Sequence, residues 1–209
     1  MISREAAKRW LFSFAEAIAA ERELLTRLDA DIGDADHGSN MDRGLKAVVD
    51  KLSQSEFPDL GGLLTTAGKV LISTVGGASG PLYGSLFLQM GLATAGKLEM
   101  SLDVFAAALR KGVEAVVRLG KAKVGDKTMV DALWPALEAL EAAVASGVPD
   151  KEALLRAAEA AQAGMASTIP LVARKGRASY LGVRSAGHQD PGATSSHLLV
   201  RSALTLAGA

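Results

Sequence analysis

The chain has 209 residues, 23 basic and 23 acidic, with a formal net charge of zero and no cysteine. That excludes a global field drawing it to nucleic acid or an anionic membrane, and it excludes disulfides, a thiol nucleophile and thiolate metal ligation, leaving three histidines as the residues suited to zinc. Hydrophobic residues make up 49 % but aromatics only 4 %, an Ala- and Leu-rich balance that favours closely packed helices in one domain, residues 1–209.

From Ser3 to about Leu28, apolar residues at Leu11, Phe14, Ile18, Leu25 and Leu28 recur at helical spacings with Arg and Glu between them, predicting one long amphipathic helix. No basic stretch followed by an apolar run opens the chain, and no apolar segment reaches about 18 residues, so a soluble cytoplasmic protein is expected.

The stretch that follows carries four carboxylates and two glycines between Asp29 and Gly38. Their repulsion calls for a positive partner, and oxygen ligands on a Gly-containing loop suit Mg²⁺ or Ca²⁺ rather than zinc or copper. Counting from Asp29, an EF-hand would need an oxygen ligand where Gly33 stands, glycine at Asp34 and glutamate at Asn40, so that calcium geometry is rejected. Several carboxylates on one Mg²⁺ would repel phosphate, whereas two ions would leave the site positive, and a two-metal nucleotide site is the reading. The alternative is a solvated acidic loop that only caps the next helix.

That second helix runs through Met41, Leu45, Val48, Val49 and Leu52, with Ser39 or Asn40 as expected N-cap and its first amides facing any bound anion. After Phe57-Pro58-Asp59, a third helix spans Leu60 to Val75. Gly76-Gly77-Ala78-Ser79-Gly80 then forms either a second phosphate cradle or a tight helix-helix turn, and Pro81 opens a fourth helix running to about Ala95. A lipase-type elbow would need glycine at Pro81 and is rejected.

Ser101 is expected to cap a fifth helix that ends at Gly120. Gly120 to Thr128 mimics a Walker A loop, but Asp126 stands where lysine belongs and a helix precedes it, so a P-loop is rejected. Asp126 or Thr128 should cap the sixth helix, with Pro135 near its first turns, and Asp150 the seventh. Between Ala173 and Gly192 the periodicity lapses, and four residues there are Arg or Lys, able to face the acidic loop. Asp190-Pro191 reads as N-cap and first position of an eighth helix.

The prediction is therefore all-α: an antiparallel bundle or barrel of eight helices with no convincing strand. If the helices alternate in direction, the first, third, fifth and seventh all end on one side. The loops that follow them, Asp29–Ser39, Gly76–Gly80, Gly120–Lys127 and Ala173–Asp190, should then converge.

Asp-Ile-Gly-Asp-Ala-Asp-His-Gly, Gly-Gly-Ala-Ser-Gly-Pro-Leu-Tyr-Gly, Val-Gly-Asp-Lys-Thr-Met and Gly-His-Gln-Asp-Pro-Gly-Ala-Thr-Ser, in this order across nearly the whole chain, resemble the nucleotide-binding L subunit of dihydroxyacetone kinase. The resemblance implies an eight-helix barrel holding ADP or ATP and two Mg²⁺ in loops at one end. It implies metal binding by Asp29, Asp34 and Asp36, with Asp31 the variable member, and phosphate lining by His37, Gly38, Ser39, Asn40, Ala78 and Ser79. Gly120, Met129, Arg177, Asp190, Pro191 and Gly192 would supply the other nucleotide contacts, Met129 against adenine. Val183 departs from the acidic residue expected in the family's Leu-Gly-Glu-Arg-Ser pattern. The resemblance also implies partners: a K subunit holding the ketose covalently, and a phosphohistidine-carrying phosphotransferase subunit that rephosphorylates ADP in place. The ketose itself, exchange with free ATP and self-association stay open. Two further readings are a phosphohistidine carrier using His37 or His188, and a nucleotide-sensing partner of another protein such as a transcriptional regulator. His197 is read as structural.

Overall fold

The computed structural model describes residues 1–208. Ser3 opens the first helix by accepting from the Ala6 amide at 3.2 Å. α1 (Arg4–Ala20) buries Ala6, Trp10, Leu11, Phe14 and Ile18 along one face. At Glu21 the rod breaks and continues as α2 (Arg22–Ile32), so the single helix expected there is two segments. Both pack on α3 (His37–Ser53) and on α9 (Pro191–Ser202), and together they act as one bent stave.

α4 (Leu60–Thr74) is capped by Asp59, whose Oδ1 accepts from Gly62 N at 2.6 Å. α5 (Ser79–Ala93), α6 (Leu102–Gly120), α7 (Val130–Ala145) and α8 (Asp150–Ser167) follow, each packed on its predecessor, and α9 returns to α1. With α1 and α2 counted as one stave, the ring is an all-α antiparallel eight-helix barrel. Irregular additions are 3₁₀ segments at Arg177–Ser185 and Ala203–Gly208, and an antiparallel pair, β1 (Ile2–Ser3) with β2 (Glu99–Met100), that the sequence did not signal. Among the described residues, no helix is long and apolar enough to cross a membrane.

The core gathers the few aromatics. Trp10 meets Phe87 and Phe105 with ring centroids 5.7 and 5.3 Å away, and its Nε1 donates to the Leu199 carbonyl at 3.1 Å, tying α1 to α9 where the ring closes. α4 and α5 approach through small residues: a Cβ placed on Gly68 would lie 2.7 Å from the Gly84 carbonyl oxygen and 2.9 Å from Leu88 N. Gly62, on the same helix, would meet nothing nearer than Asp59 Oδ1 at 3.4 Å. Gly62→Ala is therefore expected to raise stability by up to ~1 kcal/mol through helix propensity, and Gly68→Ala to lower it by about 1–3 kcal/mol through overpacking. Urea midpoints at unchanged slope check the opposite signs.

Several helix ends differ from expectation. α6 ends on Gly120, but Lys121 takes the left-handed position (φ 47) and not the glycine. α8 starts at Asp150 with Pro149 as N-cap, and α7 starts after Met129, beyond Asp126 and Thr128. Pro135 lies inside α7, in its second turn. Its missing N–H frees the Asp131 carbonyl, against which Gly164 of α8 packs so tightly that a Cβ there would lie 2.0 Å from the oxygen.

Candidate functional site

The acidic run is mostly helix. α2 extends past Leu28 to Ile32, α3 begins at His37, and only residues 33–36 form the turn. Neither Ser39 nor Asn40 caps α3. Asp29 of the preceding helix does so, its Oδ2 accepting from Asp36 N at 2.8 Å and His37 N at 3.1 Å. A carboxylate reaching back across a tight turn satisfies two of the amides that open a helix, and Ser39 instead donates to the Asp36 carbonyl.

That fold brings carboxylate oxygens of Asp29, Asp34 and Asp36 within 4.8 Å of one another. Three hard oxygen donors so close repel one another and fit a small divalent cation such as Mg²⁺. Asp31 lies outside the cluster, 3.5 Å from His188 Nδ1. Arg177 reaches over from the irregular segment, Nη2 3.0 Å from Asp34 Oδ2, so the basic stretch does face the acidic turn.

All four unusual loops line one cleft of about 440 Å³. The first residues of four helices, His37, Ser79, Val130 and Pro191, stand on its wall. A helix N-terminus with unpaired amides and a positive dipole end suits anionic groups; this applies to α3, α5 and α9, whereas the amides opening α7 are taken by Thr128 and Met129. The lining also includes Ile32, Leu82, Val116 and Met129, apolar side chains able to hold a flat ring.

His37 is 7 % exposed, with Nε2 2.9 Å from Ser195 Oγ and Nδ1 3.1 Å from Ser79 Oγ. Tyr83 OH extends the chain to Ser195 at 2.7 Å and Ser196 at 3.0 Å. Burial lowers the His37 pKa from its ordinary value, while Asp29 and Asp36 oppose the shift, and burial pushes Tyr83 up to about 12. An imidazole with both nitrogens engaged is a positioning group and a poor phosphate acceptor.

Of the other residues singled out by sequence, Asn40, Ala78, Ser79, Gly120, Met129, Arg177, Asp190, Pro191 and Gly192 all line the cleft. Gly38 and Ser39 do not. Gly38 faces α2, where a Cβ would lie 2.1 Å from the Arg22 carbonyl oxygen, so both residues can offer the site only first-turn amides. Val183 is exposed, and His197 is buried in α9. Sequence reasoning missed Lys127 and Asp131, both 1 % exposed. Asp131 accepts from Gly125 N at 2.6 Å and Thr128 N at 2.7 Å and so shapes the loop before α7. Its place three residues after Thr128 was the available signal.

Asp190 caps α9 as expected, accepting from Ala193 N at 2.6 Å. Burial pushes its pKa up to about 7, with Asp131 and Asp29 adding to the shift and the Ala193 amide and Lys127 opposing it. A raised carboxyl favours the fold fully below the unfolded value near 3.8 and loses that contribution as pH rises through about 7. Asp190→Asn keeps a capping oxygen and removes this loss. In chelator, its stability relative to the parent is expected to climb between pH 4 and 7, by at most about 4 kcal/mol, as urea midpoints would record. A constant difference across that range contradicts the assignment.

The fold and its cleft define a helical protein in which a cluster of three carboxylates stands beside the first residues of four helices. Residues 31–205 match the DAK2 domain model. The chain is 45 % identical over 194 residues to the PEP-dependent dihydroxyacetone kinase, ADP-binding subunit DhaL, of Escherichia coli, covering 93 % of this chain and 92 % of that protein. It is 42 % identical over 205 residues to the PTS-dependent counterpart of Lactococcus lactis, covering 98 % of each. Among solved structures, the dihydroxyacetone kinase of C. freundii in complex with AMP-PNP and Mg²⁺ superposes with a TM-score of 0.69 at 28 % identity, over 94 % of this chain and 32 % of that one. The chain belongs to the family of dihydroxyacetone kinase L subunits, and it is a kinase subunit.

Proposed function

We propose that this chain holds ADP or ATP with two Mg²⁺ in the cleft and passes the γ-phosphate to dihydroxyacetone, or a related small ketose, carried on a separate K subunit. The observation that carries this is the meeting of the Asp29–Asp34–Asp36 cluster with the N-termini of α3, α5 and α9 in one cleft. When bound, the magnesium ions neutralise phosphate charge, and two ions leave the acidic site attractive to a polyphosphate. Asp29, Asp34 and Asp36 are the residues to hold them. The first-turn amides of α3, α5 and α9 orient the phosphates, Arg177 adds a guanidinium, and Met129 supports the base. Phosphoryl transfer needs positioning and charge stabilisation more than covalent chemistry, which suits a site without a free nucleophile.

The PEP- and PTS-dependent names of relatives that match this chain nearly end to end support ADP as a resident cofactor, rephosphorylated in place by a phosphohistidine-carrying subunit in the cytoplasm. A second reading, exchange with free ATP, is favoured by the likeness to D-erythrulose kinase of Mycolicibacterium smegmatis, at 40 % identity over a third of that protein. Charging the chain with labelled ADP and adding the phosphotransferase components, PEP, the K subunit and dihydroxyacetone separates them. Formation of ketose phosphate with the label still bound is expected. Product only on addition of free ATP overturns the resident-cofactor reading.

A further inference from the structure

We propose that the Lys127 ammonium is a positioning group that closes the neck of the segment 172–187 over the cleft, holding Arg177 and Asp190 where the nucleotide needs them. The inference rests on the reading that the cleft binds nucleotide.

Lys127 is 1 % exposed, an unusual place for a lysine, and among the described residues no carboxylate lies within 4.0 Å of its Nζ. Its partners are backbone oxygens. Nζ shares its three N–H bonds among four carbonyls, those of Thr168 at 2.7 Å, Leu171 at 3.2 Å and Ile169 at 3.4 Å, and that of His188. The first three follow directly on α8, where helix carbonyls run out of partners and the dipole end is negative. The fourth lies across the neck, two residues before Asp190. Both ends of the segment therefore meet on one cation.

The backbone is shaped to deliver it. Lys127 adopts φ 63, a left-handed conformation that non-glycine residues adopt only at a cost in energy. The flanking turn is held by Asp131, through its bonds to Gly125 N and Thr128 N. Other bonds at the neck depend on the same closure: Gly187 N donates to the Ile169 carbonyl at 2.7 Å, Asp190 N to Thr168 Oγ1 at 3.0 Å, and Ala173 N to Ser185 Oγ at 2.8 Å. Beyond the neck the segment offers Arg177 to Asp34, and Asp190 opens α9. An apolar side chain at 127 would leave the Leu171 and His188 carbonyls without this donor and let the neck part.

The test uses the full chain with Lys127→Met and Lys127→Ala, each checked for helical content. Magnesium-ADP affinity is measured by calorimetry, and segment opening by the rate of trypsin cleavage at Arg174, Arg177 and Arg184, which are exposed. Both variants are expected to bind at least tenfold more weakly and to be cleaved at least tenfold faster. Methylammonium should restore binding and protection to Lys127→Ala, which leaves room for it, and not to Lys127→Met. Unchanged affinity and cleavage in the folded variants overturn the proposal, as does a loss that methylammonium fails to repair. If neither variant folds, hydrogen exchange on the parent decides: the Lys127 ammonium and the Ala173 and Gly187 amides should open at one common rate, and independent rates overturn it. A parent chain that binds no magnesium-ADP would refute the nucleotide reading alone, since cleavage still reports on the neck.

Discussion

Asp36→Ala is expected to lose magnesium and nucleotide together, with affinity for the pair falling roughly 100-fold or more, since loss of even an outer-shell partner of a metal ligand typically costs about 10- to 100-fold in metal affinity. The carboxylates of Asp29, Asp34 and Asp36 share one small volume, so each supports the charge balance that the others create. Asp34→Ala should behave alike, with the added loss of the Arg177 contact. The fold should survive, because removing one of three crowded carboxylates relieves repulsion and the α3 cap comes from Asp29. Asp31→Ala, outside the cluster, should bind nearly as the parent does. Titration calorimetry with magnesium and ADP checks all three, and nucleotide binding retained in Asp34→Ala or Asp36→Ala contradicts the two-metal account.

Trp10→Ala is expected to cost about 3–5 kcal/mol of unfolding free energy. Trp10 is 1 % exposed and packed against Phe87 and Phe105, so truncation opens a cavity where three staves meet. It also removes the donor to the Leu199 carbonyl and loosens α9, whose first residues stand on the cleft wall. Trp10→Phe keeps an aromatic ring and should lose less. The shift in urea midpoint measures both, and a change below about 1 kcal/mol for alanine would mean that the ring closes without this residue.

The helices were legible because their apolar spacing is regular and their stops are written in Gly, Pro, Asp and Ser. The break at Glu21 was not, since Leu11, Phe14, Ile18 and Leu25 continue one apolar face across it. Asp29 read as loop because a run of aspartates disfavours helix, yet it belongs to α2 and stabilises the start of α3 from there. Direction counting placed the four unusual loops at one end, and they do meet in one cleft. Contacts that depend on closing the ring were beyond reach. Ser195 lies far from both His37 and Tyr83 in sequence, and its hydroxyl joins them only once α9 returns to α1. Lys127, between an aspartate and a threonine in a loop, reads as a solvated charge until the carbonyls after α8 arrive around it.

Purifying the protein without added nucleotide, denaturing it, and quantifying ADP, ATP and magnesium in the supernatant tests the central claim most directly. A cofactor held by about two ions and the N-termini of α3, α5 and α9 should remain through purification, giving close to one ADP and about two Mg²⁺ per chain. A protein that emerges empty and binds neither ADP nor ATP when magnesium is supplied would contradict the account at its core.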